Sequence, residues 1–238
     1  RGKAEALARV QADGNAGLFL GSPVYKDLTA PTVMAFIQAL PETPGAFAVP
    51  FVTWGGVSCG IALWQMGRPL AAKGYRLAGA ASVPALHSLM WSCEHALGRG
   101  HPSPDDEAAV AGLVREVLAG FKENRLQGVS PDALDEQPPE RGDEMKRKIG
   151  QEPHRIPKEL NREACTQCGL CAEACPADAV VLSPWPEFTS ACMDCMTCLR
   201  VCPEQAIGVP ELSTVHDRIR KRAAKFQEAL VPRIFLSR

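Results

Sequence analysis

A cysteine run that occurs twice constrains this chain more than any other feature. The first copy reads Cys165-Thr166-Gln167-Cys168-Gly169-Leu170-Cys171-Ala172-Glu173-Ala174-Cys175-Pro176, and the second runs from Cys192 through Cys195 and Cys198 to Cys202-Pro203. Subtracting positions gives 27 for all four cysteine pairs (192−165, 195−168, 198−171, 202−175), and Ala179-Val180 returns as Ala206-Ile207 at the same offset. The segment is therefore a duplicated unit. Three cysteines spaced by two residues can wrap a tight loop around one corner of an iron-sulfur cube, each thiolate taking one iron. The fourth iron then needs a cysteine from elsewhere.

Other chemistries suit the spacing less well. Structural zinc usually takes two separated C-x2-C pairs and has no use for a third cysteine per loop or a trailing Cys-Pro. A disulfide framework suits short secreted chains, and triplets with two-residue gaps would leave odd thiols and strained pairings. Across residues 160–210 the pattern C-x2-C-x2-C-x3-C-P resembles the bacterial two-cluster ferredoxins. The resemblance implies that the last cysteine of each run, held off by the turn its proline imposes, reaches the other cluster. Cluster one would take Cys165, Cys168, Cys171 and Cys202; cluster two would take Cys192, Cys195, Cys198 and Cys175. Each half of the repeat would then depend on the other. Gly169 in the first loop is replaced by Met196 in the second, so the two clusters should differ in reduction potential.

The rest of the chain bounds the class. Its 238 residues, 46% apolar, suit one large or two ordinary domains able to bury a core. With 26 Lys and Arg against 27 Asp and Glu, no global field draws it to nucleic acid or an anionic membrane. No apolar run approaches the length of a membrane span, and no signal peptide opens the sequence. The first residue is Arg rather than Met, so the true N-terminus is expected upstream. Thiolate ligands in this number point to a reducing, cytoplasmic compartment.

In order, residues 1–12 read as a helical piece broken at Asp13-Gly14-Asn15, and Ala16–Leu20 as a strand covered on both faces. Gly21–Tyr25 follows as a turn, and Pro31 opens a helix with Val33, Phe36, Ile37 and Leu40 on one side. Phe47–Thr53 is a strand candidate weakened by Pro50. A second glycine turn, Trp54-Gly55-Gly56, leads to a helix from about Ser58, expected to kink at Gly67-Arg68-Pro69 and to end at Gly74. Tyr75–Val83 is a third strand. Ser103-Pro104-Asp105-Asp106 has the form of a capping box, ahead of the stripe Val110, Leu113, Val114, Val117, Leu118 and Phe121.

Strand and helix alternating in this way indicate a parallel sheet with flanking helices and ligand loops at the carboxyl ends of its strands. Over about residues 14–124 the segment resembles a flavodoxin, on Ser22-Pro23-Val24-Tyr25, Thr53-Trp54-Gly55-Gly56 and Ala85-Leu86-His87-Ser88. The resemblance implies an FMN ring edged by Ser22, Pro23, Val24 and Tyr25 and lined by Thr53, Trp54, Gly55 and Gly56. Nothing before Ala16 matches the phosphate loop of that family. The resemblance therefore implies a domain lacking its first strand and phosphate loop, in which FMN binding is weak or absent. With the cysteine repeat, the whole resembles the flavodoxin-ferredoxin fusion proteins of anaerobic bacteria and archaea.

The expected organisation is a partial flavodoxin-like α/β domain at 1–125, a linker at 126–158, a small α+β two-cluster ferredoxin-like domain at 159–211, and a C-terminal helix and tail at 212–238. The linker reading rests on Pro131, Pro138, Pro139, Pro153 and Pro157 among many charges. The C-terminal helix pairs an apolar side of Val215, Ile219, Ala223 and Phe226 with Arg218, Arg220, Lys221, Arg222 and Lys225, a solvated face or a dock for an acidic redox partner. Cys59 and Cys93 read as small buried hydrophobes, and His87 as a turn histidine satisfied by backbone. No Ser-His-Asp set, HExxH or GxGxxG proposes a catalyst. The function expected is electron transfer by two 4Fe-4S clusters exchanging with an FMN domain and with redox partner proteins. The alternatives are a flavin-dependent reductase of a small substrate fed by the clusters, and a structural zinc module.

Overall fold

The computed structural model describes residues 17–152 and 155–237. The helix read over 1–12, its break, Ala16 and Pro153 lie outside them. The first strand continues through the expected turn: β1 is Gly17–Tyr25, so Gly21–Tyr25 is extended chain. What carries the strand through two glycines is its parallel neighbour β3 (Phe47–Trp54), which sets Phe47 opposite Gly17 and Phe51 opposite Gly21. A Cβ on Gly17 would stand 2.2 Å from the Phe47 ring and one on Gly21 2.4 Å from the Phe51 ring, so each ring occupies the space its glycine leaves. The turn comes later. Lys26 and Asp27, at φ 53° and 75°, join β1 to β2 (Leu28–Thr29) in a two-residue hairpin with Tyr25 opposite Leu28.

Pro50 sits inside a central strand, and its neighbours explain how. The carbonyls of Ala46, Ala48 and Trp54 accept from the N–H groups of Arg76, Ala78 and Ala85, so even-numbered residues of β3 face that flank. There the expected third strand is interrupted, with β4 (Arg76–Leu77) pairing to Phe47 and Ala48 and β5 (Ala80–Pro84) resuming opposite Phe51. The missing donor of Pro50 falls at the gap. The sheet order is β10-β5-β3-β1-β2 with β4 beside β3, and β10 (Arg233–Phe235) lies antiparallel on β5. The sheet is thus mixed, with three parallel strands in consecutive order.

Alternation along β3 sends Ala48 and Val52 to one face and Phe47 and Val49 to the other. The first face is covered by α1 (Pro31–Ala39) and α2 (Ala62–Ala72), through Ile37, Leu63, Met66 and Leu70. The second is covered by α3 (Pro104–Lys122), through Leu113 and Val117. Helix α2 starts later than Ser58 because Ser58 and the Cys59 N–H are bonded to the Glu228 carboxylate, at 2.7 and 3.0 Å. It holds Pro69 within its length and closes at Gly74, φ 88°, where Tyr75 N–H donates to Leu70 O.

The capping box forms as expected. Ser103 N–H donates to the Asp106 carboxylate at 2.6 Å, Asp106 N–H returns a bond to the Ser103 hydroxyl at 3.3 Å, and His101 Nδ1 meets the same carboxylate at 2.6 Å. Burial alone would raise the Asp106 carboxyl, but the Ser103 and His101 bonds outweigh it and hold it below the carboxylate range. A lowered folded-state value stabilises the fold above the unfolded value, and that contribution is lost as pH falls through the folded one. We expect Asp106→Ala to cost about 1–2 kcal/mol at neutral pH, the range for a lost cap. The readout is an earlier denaturant midpoint at unchanged slope; an unmoved midpoint would refute the cap's role.

Two regions read as connecting chain are built into this domain. Within 126–158, Pro131 and Pro139 open a 3₁₀ turn (Pro131–Leu134) and helix α4 (Pro139–Lys146) at positions where a missing N–H is harmless. Leu134 and Met145 are buried there, so the stretch is packed rather than a free linker. The tail beyond α7 (Leu212–Phe226) likewise supplies β10, and Glu228 grips the 58–59 turn.

The cysteine region repeats one plan. β6 (Glu159–Leu160), α5 (Leu170–Glu173) and β7 (Val180–Leu182) are followed by β8 (Pro186–Phe188), α6 (Thr197–Val201) and β9 (Ile207–Gly208), each starting 27 residues after its counterpart (186−159, 197−170, 207−180). The strands pair across copies, β6 with β9 and β7 with β8, both antiparallel. Neither copy can close its own sheet. Ala179, Val180, Ala206 and Ile207, the repeated apolar pairs, are all buried.

Candidate metal centre

The duplicated loops have the conformation that crowding three thiolates demands. Gln167 and Gly169 in the first, and Asp194 and Met196 in the second, all take positive φ (56°, 78°, 57° and 61°), coiling the chain before α5 and α6 begin. Met196 adopts this region without being glycine and is buried, so Gly169 and Met196 serve the same backbone role despite their chemistry. None of the ten cysteines forms a disulfide.

Cys165, Cys168 and Cys171 line one recess together with Cys202 from the second copy, Leu170, Pro186 and Ile207. It measures about 340 Å³, counting space open to solvent. Cys198 and Cys171 are buried in one apolar cluster with Val180 and Ile207, and Cys175 is packed against that cluster. The two trailing cysteines are treated alike, since Ala179 N–H donates to Cys175 Sγ at 3.2 Å and Ala206 N–H to Cys202 Sγ at 3.3 Å. Burial pushes the Cys198 thiol up to about 11, Lys158 opposing and Cys195 and Cys192 adding. A ligand must shed that proton, which a metal centre readily enforces. Among the described residues no three His, Cys, Asp or Glu converge tightly enough for a single ion. A cube, which each thiolate meets at a different iron, does not need such convergence.

Charge separates the two loops. Lys158, only 3% exposed, places Nζ 3.2 Å from Cys192 Sγ and 3.0 Å from the Asp194 carboxylate. That carboxylate also binds Lys26 Nζ at 2.8 Å and accepts from Ile156 N–H, while Arg155 donates to Cys192 O at 2.7 Å. The next hairpin residue, Asp27, is buried and paired with Lys148 at 2.8 Å and with Arg222 of α7. A two-residue turn thus ties the sheet domain to the second cysteine loop, to α4's exit and to the C-terminal helix. Burial raises Tyr25 to about 12, with Cys195 adding and Arg200 opposing.

The residues expected to line FMN are brought together, but several of them are engaged by the protein itself. Pro23 and Thr53 are paired in register at the carboxyl ends of β1 and β3, with Val24 and Tyr25 turned into the hairpin. Ser22 is buried, its hydroxyl donating to Pro23 O and accepting from Ala30 N–H. Trp54 is core, with its indole N–H unpartnered. A Cβ on Gly55 would lie 2.8 Å from the His87 backbone and one on Gly56 3.1 Å from Gly98 N, so residues 87–98 cover that turn. The expected flavin site, as Ser22, Pro23, Val24, Tyr25, Thr53, Trp54, Gly55 and Gly56, does not fit the group here.

His87 is satisfied in its own turn, Nδ1 accepting from Leu89 N–H at 3.2 Å, and burial, with His216 adding, lowers it to about 4. Cys59 is buried, pushed up to about 12 by burial and by Glu228. Cys93 instead meets His216 Nδ1 at 3.2 Å, a partner 123 residues away that no local pattern signals. Lys158, Asp194 and the Lys26-Asp27 hairpin were also missed, the hairpin because such turns usually announce themselves with Asn-Gly or Asp-Gly. The basic face of α7 is divided: Arg222 pairs with Asp27 and Arg220 with Asp217, while Arg218, Lys221 and Lys225 are exposed.

Residues 164–207 match the family of 4Fe-4S dicluster domains. The chain therefore carries a 4Fe-4S dicluster domain, with its iron-sulfur electron-transfer role. No curated protein matches the sequence. Among the described residues no helix is long and apolar enough to cross a membrane.

Proposed function

We propose that this protein is an electron carrier holding two 4Fe-4S clusters, one on Cys165, Cys168, Cys171 and Cys202 and one on Cys192, Cys195, Cys198 and Cys175. The observation that carries the reading is the recess in which three cysteines of one copy meet the trailing cysteine of the other. Each cube, when bound, supplies one-electron chemistry. The two ligand sets have different surroundings. Cys168 is exposed, and Leu170, Val181 and Leu182 nearby are 42%, 46% and 45% exposed, an apolar rim on which a redox partner protein can dock. The second set is held against the sheet domain by Lys26 and Asp194.

The sheet domain is proposed to be flavodoxin-like, since three consecutive parallel strands are what strands 3, 4 and 5 of a 2-1-3-4-5 order would form. Its part in the reading is to position the second cysteine loop. The free thiols fit a reducing, cytoplasmic compartment.

Two cubes predict about eight iron and eight sulfide per chain after anaerobic purification. A broad brown absorption should accompany them. About two zinc with negligible iron, in a colourless protein, would overturn the proposal.

A further inference from the structure

The geometry points to Lys158 as the residue that sets the second cluster above the first in reduction potential. This inference rests on the two-cluster reading and goes beyond it by giving the difference a sign and a cause. Reduction adds an electron to a centre whose ligands are already anionic, so a fixed cation beside a ligand sulfur favours the reduced state and raises the potential. Lys158 meets that condition: its Nζ is 3.2 Å from Cys192 Sγ, and its side chain is 3% exposed, where water screens it least.

The surrounding charges act on the same sulfur in both directions. Asp194, 3.0 Å from Lys158, opposes it, but the same carboxylate is shared with Lys26, and Arg155 lies on the Cys192 carbonyl. Of these groups Lys158 is the one on the sulfur, closer at 3.2 Å than the Asp194 carboxylate at 3.9 Å. Among the described residues the first loop shows no counterpart. The position 27 residues before Asp194 is Gln167, uncharged and exposed, and among the described residues no side-chain cation bonds the sulfur of Cys165, Cys168, Cys171 or Cys202. The loops are alike in backbone, as Gly169 and Met196 show, so this buried charge is a difference between the clusters that one substitution can isolate.

The test is a redox titration of the full chain, purified anaerobically with its clusters and followed by electron paramagnetic resonance. The wild type should show two waves. Lys158→Met should lower the upper wave and leave the other in place, changing the reduced-to-oxidised ratio at a set potential about tenfold, equivalent to about 59 mV for one electron. Lys158→Arg should keep most of the wild-type value. Asp194→Asn should move the same wave upward, which tests the sign even where Lys158→Met assembles poorly. Unmoved waves in cluster-replete Lys158→Met, or a downward shift in Asp194→Asn, would overturn the inference. A wild type without iron would instead overturn the two-cluster reading.

Discussion

Cys175→Ser is expected to remove or transform the cluster held by Cys192, Cys195 and Cys198, while the cluster nearest to it in sequence persists. Cys202→Ser should do the converse. The expectation follows from how the copies interlock. Strands pair only across them, β7 with β8 and β6 with β9, so the segment after each trailing cysteine is bound into the opposite half. Cys202 accordingly lines the recess of Cys165, Cys168 and Cys171. Cys175 packs against the buried cluster that holds both Cys171 and Cys198, and its Sγ accepts from Ala179 N–H.

The expected effect is large because a cube that loses one of four thiolates often loses an iron or falls apart. A single substitution should then cost between one iron and about four of eight, with one of two magnetic resonance signals altered. The reduced variants distinguish the outcomes. If each substitution abolished the signal of its own run, the trailing cysteines would close their own loops and the crossing would be refuted. Serine is chosen because it keeps the volume and can weakly replace the thiolate, so the sheet pairing around the site should survive.

What was legible in the sequence tracks how local the cause is. The cysteine repeat, the Ser103 capping box and the Gly74 terminus are each decided by residues within a few positions, and the fold places them as read. The extension of β1 through Gly21–Tyr25 was not legible, because a glycine signals a turn until the ring that fills its space is known. Those rings, Phe47 and Phe51, lie 30 residues away (47−17, 51−21) and act only in the parallel register. Pro50 was discounted for the same reason, its tolerance depending on a gap in the next strand. Pro131 and Pro139 read as punctuation until their places at the starts of helical turns are known. At the site, the ligands were visible as a pattern, whereas Lys158 and Lys26 were ordinary lysines until the fold brought them to Asp194.

FMN is expected to bind this chain at least a thousandfold more weakly than it binds an intact flavodoxin-type site. On the ring side, Ser22 is committed to Pro23 and Ala30, Trp54 is in the core, and residues 87–98 close over Gly55 and Gly56. Admitting a ring would require displacing that cover. On the phosphate side, a helix N-terminus with free N–H groups is the usual anchor, and at each of the three sheet-covering helices a leading donor is missing or engaged. Pro31 removes a donor from α1, the N–H of Ile61 ahead of α2 is bonded to Asp27 O, and α3 is already capped by the Asp106 carboxylate. Three missing bonds to a phosphate, at about 1.5–3 kcal/mol each, amount to about 5–9 kcal/mol. At about 1.4 kcal/mol per tenfold, that exceeds a thousandfold. Titrating the anaerobic holoprotein into FMN and following flavin fluorescence should show no saturable quenching at micromolar protein. Stoichiometric quenching there would mean that the cover over Gly55 and Gly56 opens, and that the sheet domain binds the flavin its sequence resembles.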